Sequence, residues 1–478
     1  MLGQVPMMLH ENPENVFVIG FGSGSTLGSV LLHPVERVTC VEISTEVIEA
    51  SEFFRDVNNN CLDDPRLTVV HEDALTYLNL SQDKYDVIIS EPSNPWIAGI
   101  GNLFSKEYFE LCYNKLQKNG MMVQWFHLYE ASDDVVQLVL NTFSSVFPYC
   151  QIWSGETNDL ILVGSERRIT LNDEDFKNKF RNEKIEQNLK LIGIGNPFTF
   201  LSAQLLSAKG TFLLARERPI NSEKIPILEF IAPKSLYLNV QSNFIFAKDE
   251  KCDTLNNDLL VKEFVLENIP MRDDVFNAAL YHRNVTRNYA FCYGLTKYLE
   301  SESLNNYSSG LLSATTYKDL KIGGIRTIMM ENLYKKYPDS TYVQQLYLNE
   351  QLSETTTASS FLKIFSMKEI AKKFIRASSG NLDALPYVYL QIAEGLLYNS
   401  EVISSLIVCR ELEKWLRRNP QIVKNFPMEK YYYTYASVLY NINYIDQYKM
   451  YYSKLLNEYP NSENSILLKR SAKWDEKK

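Results

Sequence analysis

"VFVIGFGSGSTLG", Val16 to Gly28, is the stretch on which the fold turns. Four apolar residues run into three glycines at alternate positions, Gly20, Gly22 and Gly24, and the chain then resumes with helical periodicity over Ser25–Leu32. A buried strand that breaks into glycine and restarts as a helix lets backbone approach a ligand, and the helix start offers unpaired N–H groups to it. The spacing is G-x-G-x-G rather than that of the dinucleotide fingerprint, so the turn alone does not choose a ligand. Outward from it the same alternation continues. Strands are expected at Arg37–Val41, Leu67–Val70, Tyr85–Ile89 and Met121–Trp125. Helices are expected at Thr45–Phe54 with Ser44 as N-cap, at Tyr108–Leu116 closed by Asn119-Gly120, and at Asp133–Phe147. Tyr149–Trp153 and Leu160–Val163 flank Gly155-Glu156-Thr157-Asn158, a hairpin signal. The pattern predicts an α/β domain: a mostly parallel sheet covered on both faces, with an antiparallel hairpin at its edge.

In open sheets of this kind ligands lie outside the carboxyl ends of the strands. Three such ends carry acids. Glu42 closes the second strand, where a carboxylate accepts both hydroxyls of a ribose. That does not separate a nicotinamide cofactor from an adenosyl-sulfonium one; Asp73, closing the third strand in "HEDA", favours the latter. Glu91 closes the fourth in "VIISEPSNPW", Val87 to Trp96, where two prolines bracket Ser93 and Asn94. Trp96 is read as a shaper of the pocket mouth or a packing aromatic. Gln124, His127 and Tyr129 follow the fifth strand toward the same edge, with His127 read as a structural histidine ahead of a base.

The composition excludes several classes. The net charge of −9 disfavours nucleic acid, and there is no apolar run long enough to span a membrane. Seven scattered cysteines without a CxxC and five histidines without ligand spacing argue against a disulfide framework and against a metal site. Together these point to a cytoplasmic protein.

Residues 166–235 are mixed, with a polar helical stretch from Asp173 to Leu191. From about Thr254 the texture is helical. "LYKKYPDS", "WLRRNPQI" and "LLNEYPNS" end helices near Pro338, Pro420 and Pro460, about one and two forty-residue periods apart. A tetratricopeptide-like array and an irregular α-domain both fit. Tyr431-Tyr432-Tyr433 is read as helix packing.

The stretches "HENPENVFVIGFGSGSTLGSVLLHPVERVTCVEIS", "DPRLTVVHEDAL", "YDVIISEPSNP", "NLFSKEYFELC", "LQKNGMMVQW" and "RPINSEKIPILEFIAP" together resemble the polyamine aminopropyltransferases, the spermidine synthase family. The closest likeness is to a bacterial branch often joined to a membrane transporter-like domain. The resemblance covers residues 1–235, with a core of about 14–166; 236–257 is expected as a linker and 258–478 as the helical domain. It implies a Rossmann-like sheet of the class I methyltransferase type that binds decarboxylated S-adenosylmethionine and a small-molecule amine, with no metal. Gly20, Gly22, Ser23 and Gly24 then lie along the sulfonium chain, Glu42 on the ribose, and Asp73 and Ala74 at the adenine. Glu91 stands where the family keeps a proton-accepting aspartate, and Asn94 where it keeps a second one. Gln124, Trp96 and Tyr129 are expected on the amine side.

The chain also departs from that pattern. Glu91 is one methylene longer than aspartate, Asn94 has lost the charge, and Ser23 replaces an aspartate that holds the donor's ammonium. The family's N-terminal strand domain, which lids the acceptor groove, is expected to be absent, upstream or supplied by another chain; membrane association would come through such an upstream segment. The favoured function is aminopropyl transfer to an amine in polyamine biosynthesis. The alternatives are methyl transfer from intact S-adenosylmethionine and a non-catalytic ligand-binding scaffold. A homodimer, and a protein partner on the helical region, are further expectations.

Overall fold

A computed structural model describes residues 1–215, 219–242, 244–252, 258–301, 307–319, 325–338, 385–398, 402–424, 426–460 and 464–468, with a few single positions between them. The chain divides into two compact units, Met1–Leu312 and Ser313–Lys478.

The first unit is built on one eight-stranded sheet. Its strands are β1 (Asn15–Ile19), β2 (Arg37–Glu42), β3 (Leu67–His71), β4 (Tyr85–Ser90), β5 (Leu116–His127), β6 (Tyr149–Ser154), β7 (Asp159–Ser165) and β8 (Gln204–Leu206). The order is β3-β2-β1-β4-β5-β7-β6-β8. β1 to β5 are parallel, and β7 inserts antiparallel between β5 and β6. This is a Rossmann-like sheet of the methyltransferase type. The central strands are apolar without a break because both faces are covered. Val16, Val18, Val87, Ile89 and Val123 enter one core, while Phe17, Ile19, Ile88 and Met122 enter the other.

One local expectation is corrected. Asn119-Gly120 does not cap a helix: the helix ends at Lys115, and both residues lie within β5. Asn119 has φ +68°, and the β4–β5 register shifts beside it, between Tyr85 and Val87. The Asn-Gly pair marks a bulge, since a cap and a bulge need the same left-handed residue. The stretch from Asp173 to Leu191 is two helices, Asp173–Phe180 and Glu183–Leu191, because Asn182 turns its side chain onto the Lys184 N–H and starts a new one.

The change of texture near 258 is not where the compact units part. Helices Leu260–Glu267, Arg272–Asn284 and Tyr289–Ser301 pack into the first unit, with Leu260, Phe264, Val275, Ala278 and Tyr281 in the same core as Phe176 and Phe200. The stretch expected as a linker is tied in by charge. Lys251 and Asp249 are 2.9 Å apart with side chains 2% and 1% exposed, and the Asn288 amide donates to Asp249 at 2.6 Å. Lys251 also donates to the Gln204 carbonyl and lies 5.0 Å from the Phe291 ring. Removing one partner of a buried pair strands the other's charge, so Asp249→Ala is expected to lower stability by about 3–5 kcal/mol in urea unfolding. A loss under about 1 kcal/mol would show the pair to be slack.

In the second unit, Leu385–Tyr398 and Val402–Arg418 form one helical pair, and Met428–Asn441 and Ile445–Glu458 another. Tyr431, Tyr432 and Tyr435 pack with Tyr451, Leu412 and Leu455 in their shared core, as expected for helix packing. The helices near Pro338, Pro420 and Pro460 end at Lys336, Arg418 and Glu458. Among the described residues, no helix is long and apolar enough to cross a membrane.

Candidate active site

The turn after β1 is held in a shape only glycine takes easily. Gly20, Gly22 and Gly24 have φ of +87°, +53° and +80°. A Cβ on Gly20 would meet the Glu91 carbonyl oxygen at 2.7 Å, so this glycine brings the β1 and β4 exits together. A Cβ on Gly22 would meet nothing within 4 Å: there the backbone faces open space, as a ligand cradle requires. Ser23 contributes a hydroxyl 2.8 Å from that of Ser25.

Glu42, 8% exposed, accepts the Phe21 N–H on Oε2 at 2.8 Å and the Ser44 N–H on Oε1 at 2.9 Å. It thus fixes the glycine turn, and each oxygen keeps a lone pair for a diol. Asp73 caps the helix Ala74–Leu80, taking the Thr76 N–H and hydroxyl on Oδ1 at 2.8 and 2.9 Å. Ala74 is buried behind it. Three strand ends therefore present a glycine turn and two carboxylates along one edge. Among the described residues no cluster of histidine, cysteine or carboxylate side chains has the form of a metal site.

Glu91 opens the other half. Thr26, in the first turn of the helix after the glycines, donates its hydroxyl to Glu91 Oε2 at 2.8 Å. The side chain lies in a cavity of about 990 Å3 whose wall includes Thr26, Trp125, Glu156, Asp159 and Tyr281. The surrounding protein raises its pKa by desolvation, against the Thr26 hydrogen bond, which lowers it. Glu91 is nonetheless exposed by surface area, because the cavity is open. Water reaches the carboxylate and limits the shift.

The remaining expected residues gather around His127, which stands opposite Asp159 of the cavity wall in the β5–β7 register. Asn94 accepts the Tyr129 hydroxyl at 3.2 Å. Trp96 stands edge-on to His127, with ring centres 4.7 Å apart, and Tyr129 lies 4.4 Å from the same imidazole. His127 is fully buried with both ring nitrogens unpartnered, and burial pushes its pKa down to about 4, so it is neutral. Gln124 is fully buried and donates to the Trp125 carbonyl at 3.0 Å. The sequence marks neither Thr26, Asp159 nor Tyr281 as a site residue, and it marks Glu156 only as part of a hairpin turn. The acid opening β7 was the available signal, because an antiparallel strand begins at the edge where its parallel neighbours end.

The sheet and its edge define a Rossmann-like fold of the methyltransferase type. Residues 1–154 match the family described as "Spermine/spermidine synthase domain". It is similar to the polyamine aminopropyltransferase of Thermotoga petrophila, 32% identical over 166 residues, which are 32% of this chain and 53% of that protein. The enzyme of that name from Thermococcus onnurineus is 38% identical over 118 residues, 24% of this chain and 42% of that one. The chain thus spans about half the length of the curated relatives it matches. A crystal structure of spermidine synthase from Thermotoga maritima is 25% identical with a TM-score of 0.33, covering 50% of this chain and 73% of that chain. So loose a superposition adds nothing to the strand order.

Proposed function

We propose that the first unit transfers an aminopropyl group from decarboxylated S-adenosylmethionine to an amine, a polyamine-forming reaction. The observation that carries the reading is the placing of Glu91: a carboxylate held by Thr26 next to the glycine turn, inside a cavity. The amine nitrogen attacks the methylene beside the sulfonium as the carbon–sulfur bond breaks, and its electron pair leaves on sulfur as neutral methylthioadenosine. The proton lost by the nitrogen passes to the Glu91 carboxylate. Before that, the carboxylate orients the amine; the cavity supplies proximity.

The Ser23 and Ser25 hydroxyls favour a second reading. Neutral donors beside the glycine turn suit the carboxylate of intact S-adenosylmethionine, and the transferred group would then be methyl. Calorimetry with decarboxylated S-adenosylmethionine, S-adenosylmethionine and methylthioadenosine, with product mass analysis, separates the readings. Aminopropylated amine is expected; methylated product would install the second reading, and no binding of any of the three would remove both. In the same assay Glu42→Gln and Glu42→Ala are expected to weaken methylthioadenosine by about 1–3 kcal/mol, the cost of unpaired hydroxyls. Unchanged affinity in both would place the ribose elsewhere.

A further inference from the structure

The segment "RPINSEKIPILEFIAP" lies outside the matched residues 1–154, and its second half opens the helix Ile227–Leu238. Two of its residues reach back to the loop that follows Glu91. Asn221 is 2% exposed, with every polar group engaged. Its amide nitrogen donates to the Gly101 and Phe104 carbonyls at 3.3 and 3.1 Å, and its amide oxygen accepts the Leu228 N–H at 3.0 Å. Its own N–H donates to the Thr142 hydroxyl and its carbonyl accepts the Lys106 N–H, both at 2.9 Å. Buried polar groups paired this fully hold their neighbours in one arrangement. Asn221 thus fixes the far end of the loop, Gly101 to Phe104, against the start of the helix.

Glu229, in the first turn of that helix, grips the loop nearer the site. Its Oε1 accepts the Gly99 N–H at 3.2 Å. A Cβ on Gly101 would stand 2.6 Å from its Oε2, so any other residue there would push the carboxylate off Gly99. Gly99 itself has φ +86°, which glycine adopts without strain. From Gly99 back to Asn94 the loop is a run of tight turns. The Ile100 N–H donates to the Ile97 carbonyl at 3.1 Å, and the Ile97 N–H donates to the Asn94 carbonyl at 3.0 Å. A shift at Gly99 is therefore passed on to Trp96 and Asn94. We propose that Glu229 is a positioning residue, a latch that sets the loop carrying Asn94 and Trp96 beside His127. The role given to that loop rests on reading this edge as the amine side of a transferase. The Gly99 bond is exposed, so water competes for both partners, and its loss loosens the loop without unfolding the unit.

The test is hydrogen exchange across the loop in the full chain, read by mass spectrometry, with amine alkylation kinetics alongside. Glu229→Ala is expected to speed exchange from Asn94 to Asn102 by about three- to tenfold, the range of one lost hydrogen bond, with an unchanged melting temperature. Glu229→Gln keeps an acceptor for the Gly99 N–H and is expected to exchange like the parent. Gly101→Ala, which displaces the carboxylate, is expected to match Glu229→Ala. The double variant is expected to exchange no faster than either single one, because both break the same contact. In turnover, Glu229→Ala is expected to raise the KM for the amine several-fold with kcat and methylthioadenosine affinity near the parent, a split that a merely structural role would not give. Parent-like exchange in both single variants, effects that add in the double variant, or a loosened loop with an unchanged KM would overturn the latch. A parent without turnover whose loop responds as stated would keep the latch and remove the transferase reading.

Discussion

Glu91→Gln is expected to lower amine alkylation by roughly 10²–10⁴-fold, the usual contribution of a positioned general base. Methylthioadenosine should bind within about twofold of the parent, since the base acts in the transition state rather than on the nucleoside. Glutamine matches glutamate in size, and its amide oxygen still accepts the Thr26 hydroxyl that holds Glu91 at 2.8 Å. The variant therefore removes proton acceptance and charge while keeping the shape. The parent's kcat/KM should rise with pH as the carboxylate ionises, with a limb displaced above the ordinary carboxylate range because desolvation raises Glu91. That limb should vanish in the variant. Transfer that stays within about threefold of the parent in Glu91→Gln would remove this residue from the chemistry.

What the sequence made legible is the parallel half of the site. Gly20, Gly22, Gly24, Glu42, Asp73 and Glu91 stand at strand ends, and a strand followed by a turn can be read from neighbours along the chain. The antiparallel half was hidden for a topological reason. Asp159 reaches the same edge only because β7 runs opposite to β5, and Tyr281 only because a helix more than a hundred residues further on packs against the hairpin. Local signals also carried two meanings. Asn119-Gly120 fits a helix end or a bulge, and Lys251 in a polar run looked like linker until Asp249 and Asn288 buried it. Asn94, Trp96 and Tyr129, expected on the amine side, gather around His127, opposite Asp159 of the cavity wall.

Acid is expected to unfold the first unit well above the pH at which most carboxylates protonate. Three histidines are buried neutral. His33 pairs with Gln4 at 2.9 Å and is held to a pKa of about 3, by burial first and Lys179 second. His127 sits among aromatic rings at about 4, through burial. His282, between Ser202 and Thr286 at 2.8 and 3.0 Å, is held well below the ordinary value by burial and then Lys251. In each the folded pKa lies below the unfolded value of 6.5, so the unfolded chain binds the extra proton first. Stability is then complete above pH 6.5 and falls as pH drops toward the folded values. One group loses about 1.4 kcal/mol per pH unit once well below 6.5, and three together about 4 kcal/mol. Glu91 and Asp159, whose pKa values are raised, act in the opposite sense, but they stand in an open cavity where water screens them. Against a typical domain stability of about 5–15 kcal/mol, such a slope brings unfolding near pH 5. Urea unfolding at several pH values between 7.5 and 4.5 reads the slope directly. His127→Phe, which keeps a ring in the aromatic cluster, should flatten it by about 1.4 kcal/mol per pH unit. A stability that stays level from pH 7.5 to 5 would mean that the three imidazoles gain protons without unfolding, and that burial does not hold them neutral.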